Sequence, residues 1–195
     1  NYKAAMQKQV RLVVYKEEAV SEDDAENLKN VAFEDISIAY NGRNQSVVLS
    51  GDYPTSLYSV AYENNTGKNA GTYSATAYIT NIKTGKTVEK TAKLTITPID
   101  LTITAPQYSL IQGEKLPDIA GDVSFSGLAE GETVANLNGK LTLTYTFGRT
   151  SALGEYDIVV SGCTSPNYNI TYVDGKAEIV MATFATVEES KISPK

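Results

Sequence analysis

The chain has 195 residues, a formal net charge of −6, no histidine, no tryptophan and a single cysteine. An intramolecular disulfide cannot form, and zinc clusters needing several Cys or His ligands are excluded with every mechanism that needs an imidazole base. The acidic balance, with no basic cluster along the chain, argues against the phosphate-neutralising surface of a nucleic-acid binder.

Hydrophobic residues at 42% and charged residues at 21% describe a globular chain long enough for one or two domains. No apolar run approaches the roughly 18 residues that span a bilayer, so no membrane insertion is expected from this stretch. No leader pattern is visible, and a start at Asn1 reads as a mature fragment or a piece of a longer chain.

Residues 1–30 differ in pattern from the rest. Val10, Leu12 and Val14 alternate as on a strand around Arg11–Tyr15. Ser21, with Asp24 three residues on, approximates a capping box, so a short helix is expected over about residues 22–29. The acidic run Glu22, Asp23, Asp24 and Glu26 lacks the glycine and oxygen spacing of an EF-hand loop and reads as a solvated helix face. The segment is either the tail of a preceding module or packs on the next.

Residues 31–98 read as a first β module. Alternation predicts strands at Glu34–Tyr40, Gln45–Leu49, Leu57–Glu63, Gly71–Ile82 and Lys86–Thr97, with turns at Asn41-Gly42, Gly51-Asp52, Asn64–Gly67 and Thr84-Gly85. The last two strands form a hairpin. Pro98 interrupts an apolar alternation running from Leu94 to Ala105. It offers no N–H to a ladder and restrains Thr97, so two strands are expected to meet there at a short, stiff joint.

Residues 99–182 read as a second module. Strands are predicted at Ile99–Ala105, Asp122–Ser126, Lys140–Phe147, Glu155–Ser161, Tyr168–Val173 and Lys176–Met181. Glu132–Leu137 predicts a turn and a half of helix closed near Gly139. Residues 183–195 read as a tail or linker. An echo links the modules: Asn69-Ala-Gly-Thr-Tyr73 and Ala152-Leu-Gly-Glu-Tyr156 each open a strand with Gly-x-Tyr. The glycine predicts either φ > 0 or a close backbone approach, and the tyrosine should face inwards and anchor the turn.

Five stretches carry a family resemblance: Leu101–Thr104, Gly113-Glu-Lys-Leu-Pro117, Ser126–Thr133, Gly154-Glu-Tyr156 and Asn167–Lys176. Through them the second module resembles the MBG-type domains repeated in bacterial extracellular and surface proteins. One departure is Ile111-Gln112, where many relatives carry Val-Tyr. The first module is more loosely similar to companion repeats of such proteins, through Tyr40-Asn-Gly42, Asn69–Tyr73 and Ala92–Pro98. The resemblance implies an all-β chain of two tandem modules of immunoglobulin-like β-sandwich type, the second alternatively β-grasp-like with one short helix. It implies an extracellular, cell-surface stalk or adhesive segment, and it brings no catalytic residue.

Candidate chemistry is sparse. Glu114 with Asp118, or Glu130 with Glu132, are the carboxylate pairs a glycosidase would require, but all four sit in turn-rich stretches and read as solvated. Tyr58 and Tyr62 share strand parity with Val60 and read as packing residues, whereas Tyr53, in a turn between Asp52 and Pro54, is the candidate ligand surface. Cys163, with no flanking cation, reads as a small, partly buried residue. An amide crosslink between a lysine and an Asn or Asp would stiffen such a module, but no pairing motif marks one.

The expected protein is non-enzymatic, with no catalytic, metal or cofactor-binding residue. It is expected to be monomeric as a fragment, with a host or cell-surface glycan or protein as the possible partner and no nucleic acid. The alternative is a carbohydrate-binding accessory region of a secreted enzyme.

Overall fold

β-Branched and aromatic residues recurring at alternate positions favour extended backbone in the strand segments. The computed structural model of the protein describes residues 23–183, and its regular elements are nearly all strands. Helix α1 (Asp24–Asn27) opens it, capped by Asp23, whose carboxylate accepts from the Ala25 N–H at 3.0 Å. The expected cap Ser21, the strand around Arg11–Tyr15 and the tail beyond residue 183 lie outside the described residues. Leu28 and Val31 are buried with Tyr58 and Ile79 in a small core, so residues 24–31 pack on the sheet that follows.

In the N-terminal half, β1 (Ile36–Ala39), β3 (Tyr58–Glu63), β5 (Gly71–Asn81) and β6 (Thr87–Thr97) form one sheet in the order β1-β6-β5-β3. β1 runs parallel to β6, and the other pairs are antiparallel. β2 (Gln45–Ser46) and β4 (Thr66–Gly67) add a short antiparallel ladder. The expected hairpin joins β5 to β6. Asn81, buried at its mouth, accepts the N–H groups of Lys83 and Thr84 on Oδ1 at 3.0 and 3.2 Å.

β6 and β7 (Ile99–Thr104) are separated by Pro98 alone and lie in different sheets. The backbone groups beside the proline are used: Thr97 O accepts from Tyr40 N–H at 2.9 Å, and Ile99 N–H donates to Asn167 O at 3.1 Å.

The C-terminal half continues with β8 (Tyr108–Ile111), β9 (Ser124–Ser126), β10 (Asn138–Thr144), β11 (Gly154–Thr164), β12 (Tyr168–Val173) and β13 (Gly175–Val180). One sheet has the order β10-β11-β13-β8 and the other β12-β7-β9, with β12 parallel to β7 and β13 parallel to β8. Leu101 and Ile103 from one sheet meet Ile158, Val160, Ala177 and Ile179 from the other, none more than 3% exposed. The result is a β-sandwich, the first of the two arrangements expected. Burying each large aliphatic contributes about 1.5–3 kcal/mol. It also sets register, because a one-residue slip would turn the whole face to solvent. The same buried cluster runs on into the N-terminal half through Tyr40, Val47, Leu94 and Ile96.

Local differences from the expected elements have local causes. The helix expected over Glu132–Leu137 is a single 3-10 turn, Val134–Asn136, held by reciprocal capping between Thr133 and Asn136. Asn138 and Gly139 open β10 instead of closing a helix. β2 stops at Ser46 and β10 at Thr144, short of Leu49 and Phe147. β8 was not expected from local pattern: its partner β13 is remote in sequence, and Tyr108 and Leu110 are only half-buried.

Candidate functional site

The glycine–tyrosine echo is a physical one. Gly71 has φ +152° and Gly154 φ +142°, and an added Cβ at either would meet nothing within 4 Å. Backbone conformation, not close approach, is therefore the reason for glycine at both. Two residues on, the Tyr73 hydroxyl donates to Asn69 O at 2.9 Å and the Tyr156 hydroxyl to Ala152 O at 3.0 Å. Both rings are half-buried, Tyr73 lying on the backbone of Gly67 and Tyr156 packing 5.9 Å from Phe147. Each ring ties the loop before its strand to the strand itself.

A second correspondence is not legible from pattern. Gly51 follows the bridge Ala32–Ser50, and Gly127 follows the β7–β9 ladder. An added Cβ would stand 2.0 Å from Asn30 O at Gly51 and 2.2 Å from Asp100 O at Gly127. The same crowded corner thus occurs once in each half.

A dense polar constellation lies where the halves meet. Glu132, expected as a solvated turn residue, is half-buried, and its Oε1 accepts from the Tyr40 hydroxyl while Oε2 accepts from the Tyr168 hydroxyl, both at 2.5 Å. The Tyr168 oxygen in turn accepts from Ala129 N–H at 2.9 Å. The two rings meet edge to face with centroids 5.5 Å apart. Beside them Asn167 takes Ala70 N–H on Oδ1 at 2.7 Å and donates through Nδ2 to Asn69 Oδ1 at 3.2 Å. Sequence reading missed this site because its members come from opposite sides of Pro98. The one available signal was Tyr40-Asn-Gly42, noted only for its likeness to repeats.

Burial, then the Glu132 carboxylate, push the Tyr168 phenol from its ordinary 10.0 up to about 12, and the same two causes hold Tyr40 well above the usual phenol range. A raised phenol pKa supports the folded state fully below pH 10, and that support is lost as pH rises towards 12, because the unfolded chain ionises first. The urea midpoint is therefore expected to fall as pH rises from 10 to 12, and less steeply in Tyr168→Phe. Equal slopes in the two proteins would show that Tyr168 is not the group responsible.

The other candidates fall apart from one another. Glu130 is exposed and pairs with Arg43 at 2.6 Å. Asp118 accepts from Gly121 N–H at 3.3 Å within its own turn, and Glu114 lines a cavity of about 120 Å³ with Lys115 and Arg149. Asp24, read as part of a solvated face, instead accepts from the Tyr58 hydroxyl at 2.6 Å and Asn81 Nδ2 at 2.7 Å. These two bonds, the Tyr58 one first, hold its carboxyl below the usual range. Tyr53 is half-buried and packs against the small core around Leu28 and Ile79. Tyr62 accepts from Leu49 N–H at 3.0 Å, with its ring 5.9 Å from Phe33. Cys163 is buried, which pushes its thiol up and makes it a poor nucleophile. The ion pairs Lys29–Glu26 and Lys176–Glu155 lie on exposed side chains, unlike the buried setting an amide crosslink needs. Among the described residues no group of three or more Asp, Glu or Cys side chains is placed to hold a metal, and no helix is long and apolar enough to cross a membrane.

The sandwich of the C-terminal half, with its Gly-x-Tyr corner, overlaps the match to a known family model. Residues 101–178 match the MBG domain (YGX type). The match begins within β7 and ends within β13, so it takes in strands of both sheets of the sandwich. No curated protein sequence matches the chain. Among solved structures, it is similar to the fibronectin(III)-like modules of Clostridium thermocellum CbhA, at 11% identity and a TM-score of 0.27 over 82% of this chain and 99% of that one. Drosophila N-cadherin EC1-4 is similar at 9% identity and 0.28, over 76% of this chain and 48% of that one. A chimeric titin Z1Z2 tandem carrying an exogenous fibronectin peptide is similar at 12% identity and 0.22, over 79% and 97%. The fold itself rests on the strand pairings.

Proposed function

We propose that this chain is a non-catalytic structural segment of a bacterial cell-surface or secreted protein, two tandem β units divided near Pro98 that serve as stalk or adhesive module. The observation that carries this reading is the joint. A one-residue connection is flanked by strands of different sheets, and a hydrogen-bonded cluster of polar side chains serves contact between the halves. The match of residues 101–178 to the MBG domain supports the same class.

A glycan array probed with the purified chain, alongside Tyr53→Ala, tests the reading. No saturable binding is expected. Saturable binding to one sugar, lost in Tyr53→Ala, would replace the stalk with a carbohydrate-binding accessory region and place its surface at Tyr53.

A further inference from the structure

We propose that Tyr40, Glu132 and Tyr168 form a latch that holds the two halves at one fixed angle. Units joined by a short linker ordinarily move relative to one another unless a substantial interface prevents it. Pro98 fixes its own φ and restrains Thr97 but leaves its own ψ free. The buried cluster shared by the halves limits this motion but is non-directional, and the latch supplies the directional constraint. A carboxylate from the 127–133 loop takes a phenol from each half, and such charge-assisted bonds are about twice as strong as neutral ones. The two buried rings pack edge to face beside it. Asn167, beside the latch, also holds the loop at residues 69–70 and widens the contact across the joint. The exposed Arg43–Glu130 pair adds little.

The tyrosine is not required by its strand. Ala39 pairs with Thr97 at the end of β1, and Tyr40 N–H donates to Thr97 O. At the end of β8, Ile111 pairs with Val180, and Gln112 N–H donates to Val180 O at 2.9 Å. Gln112 therefore occupies in the C-terminal half the place of Tyr40 in the N-terminal half, and its side chain turns to Ser151 O at 2.8 Å. The backbone pairing is met equally by glutamine, so the phenol at residue 40 serves the contact across the joint.

The test is residual dipolar couplings of the isotope-labelled chain in a weakly aligning medium, fitted separately to the strands before and after Pro98. The wild type is expected to give one common alignment tensor. Glu132→Ala and Tyr40→Gln are each expected to lose it, the two halves then fitting tensors of different magnitude and orientation while their strand amide shifts stay in place. Tyr40→Phe keeps the ring against Tyr168 and removes only the donor, so it reads the carboxylate contact even where a larger truncation unfolds the joint, and it too is expected to lose the common tensor. Two tensors in the wild type, or a common tensor kept in Tyr40→Phe and Glu132→Ala, would overturn the latch. The inference rests on the two-unit reading proposed above, but its failure is separable. Sugar binding by a chain with one common tensor would remove the stalk and keep the latch, and divergent tensors without sugar binding would do the reverse.

Discussion

Tyr156→Ala and Tyr73→Ala are each expected to destabilise the protein by about 3 kcal/mol, the lower end of the range for aromatic truncations in cores, because both rings are only half-buried. Each substitution empties the space under a strand-opening loop and leaves a loop carbonyl, Ala152 O or Asn69 O, without its hydroxyl donor. Tyr→Phe at the same positions keeps the ring and is expected to cost only about 1 kcal/mol, the net worth of one hydrogen bond. Urea denaturation measures the size of each effect. Amide hydrogen exchange reports where it falls, and protection should drop first in the half that carries the change. Equal losses for the phenylalanine and alanine variants would mean that the hydroxyl, not the buried ring, holds the corner.

The second large effect belongs to the crowded corners. Gly51→Ala and Gly127→Ala should each cost about 3 kcal/mol or more, since two penalties add. Gly51 has φ +91° and Gly127 φ +106°, conformations that strain an L residue by about 1–3 kcal/mol. The new methyl would also drive into a backbone carbonyl, Asn30 O or Asp100 O, which cannot swing aside as a side-chain tip can. Overpacking of that kind costs a further 1–3 kcal/mol or so. Gly85→Ala is the control, with φ +70° and open space around the added carbon. It should show the strain alone, about 1 kcal/mol by chemical denaturation. A Gly127→Ala protein as stable as Gly85→Ala would mean that β7 and the 127–133 loop separate without penalty.

Period-two alternation placed β5, β6, β7, β11, β12 and β13 within a few residues, because each buries one face and a slipped register would expose it. The break at Pro98 was equally legible, since a missing N–H and a restrained neighbour are properties of the residue itself. The glycines before Tyr73 and Tyr156 were legible as special positions, and the structure chose positive φ over close approach. β8 was not legible, because a short half-buried strand is stabilised by a parallel partner far along the chain. Nor was the role of Asp24, which depends on Tyr58 and Asn81 arriving from β3 and β5. Glu132 is the plainest case. By composition it belongs to a solvated turn, and only the packing of two sheets across Pro98 brings two phenols to its carboxylate. Alternation and turn chemistry act between near neighbours and can be read from the order of residues. Which distant side chains meet is decided by how the sheets stack, and the joint between the halves is made of such meetings.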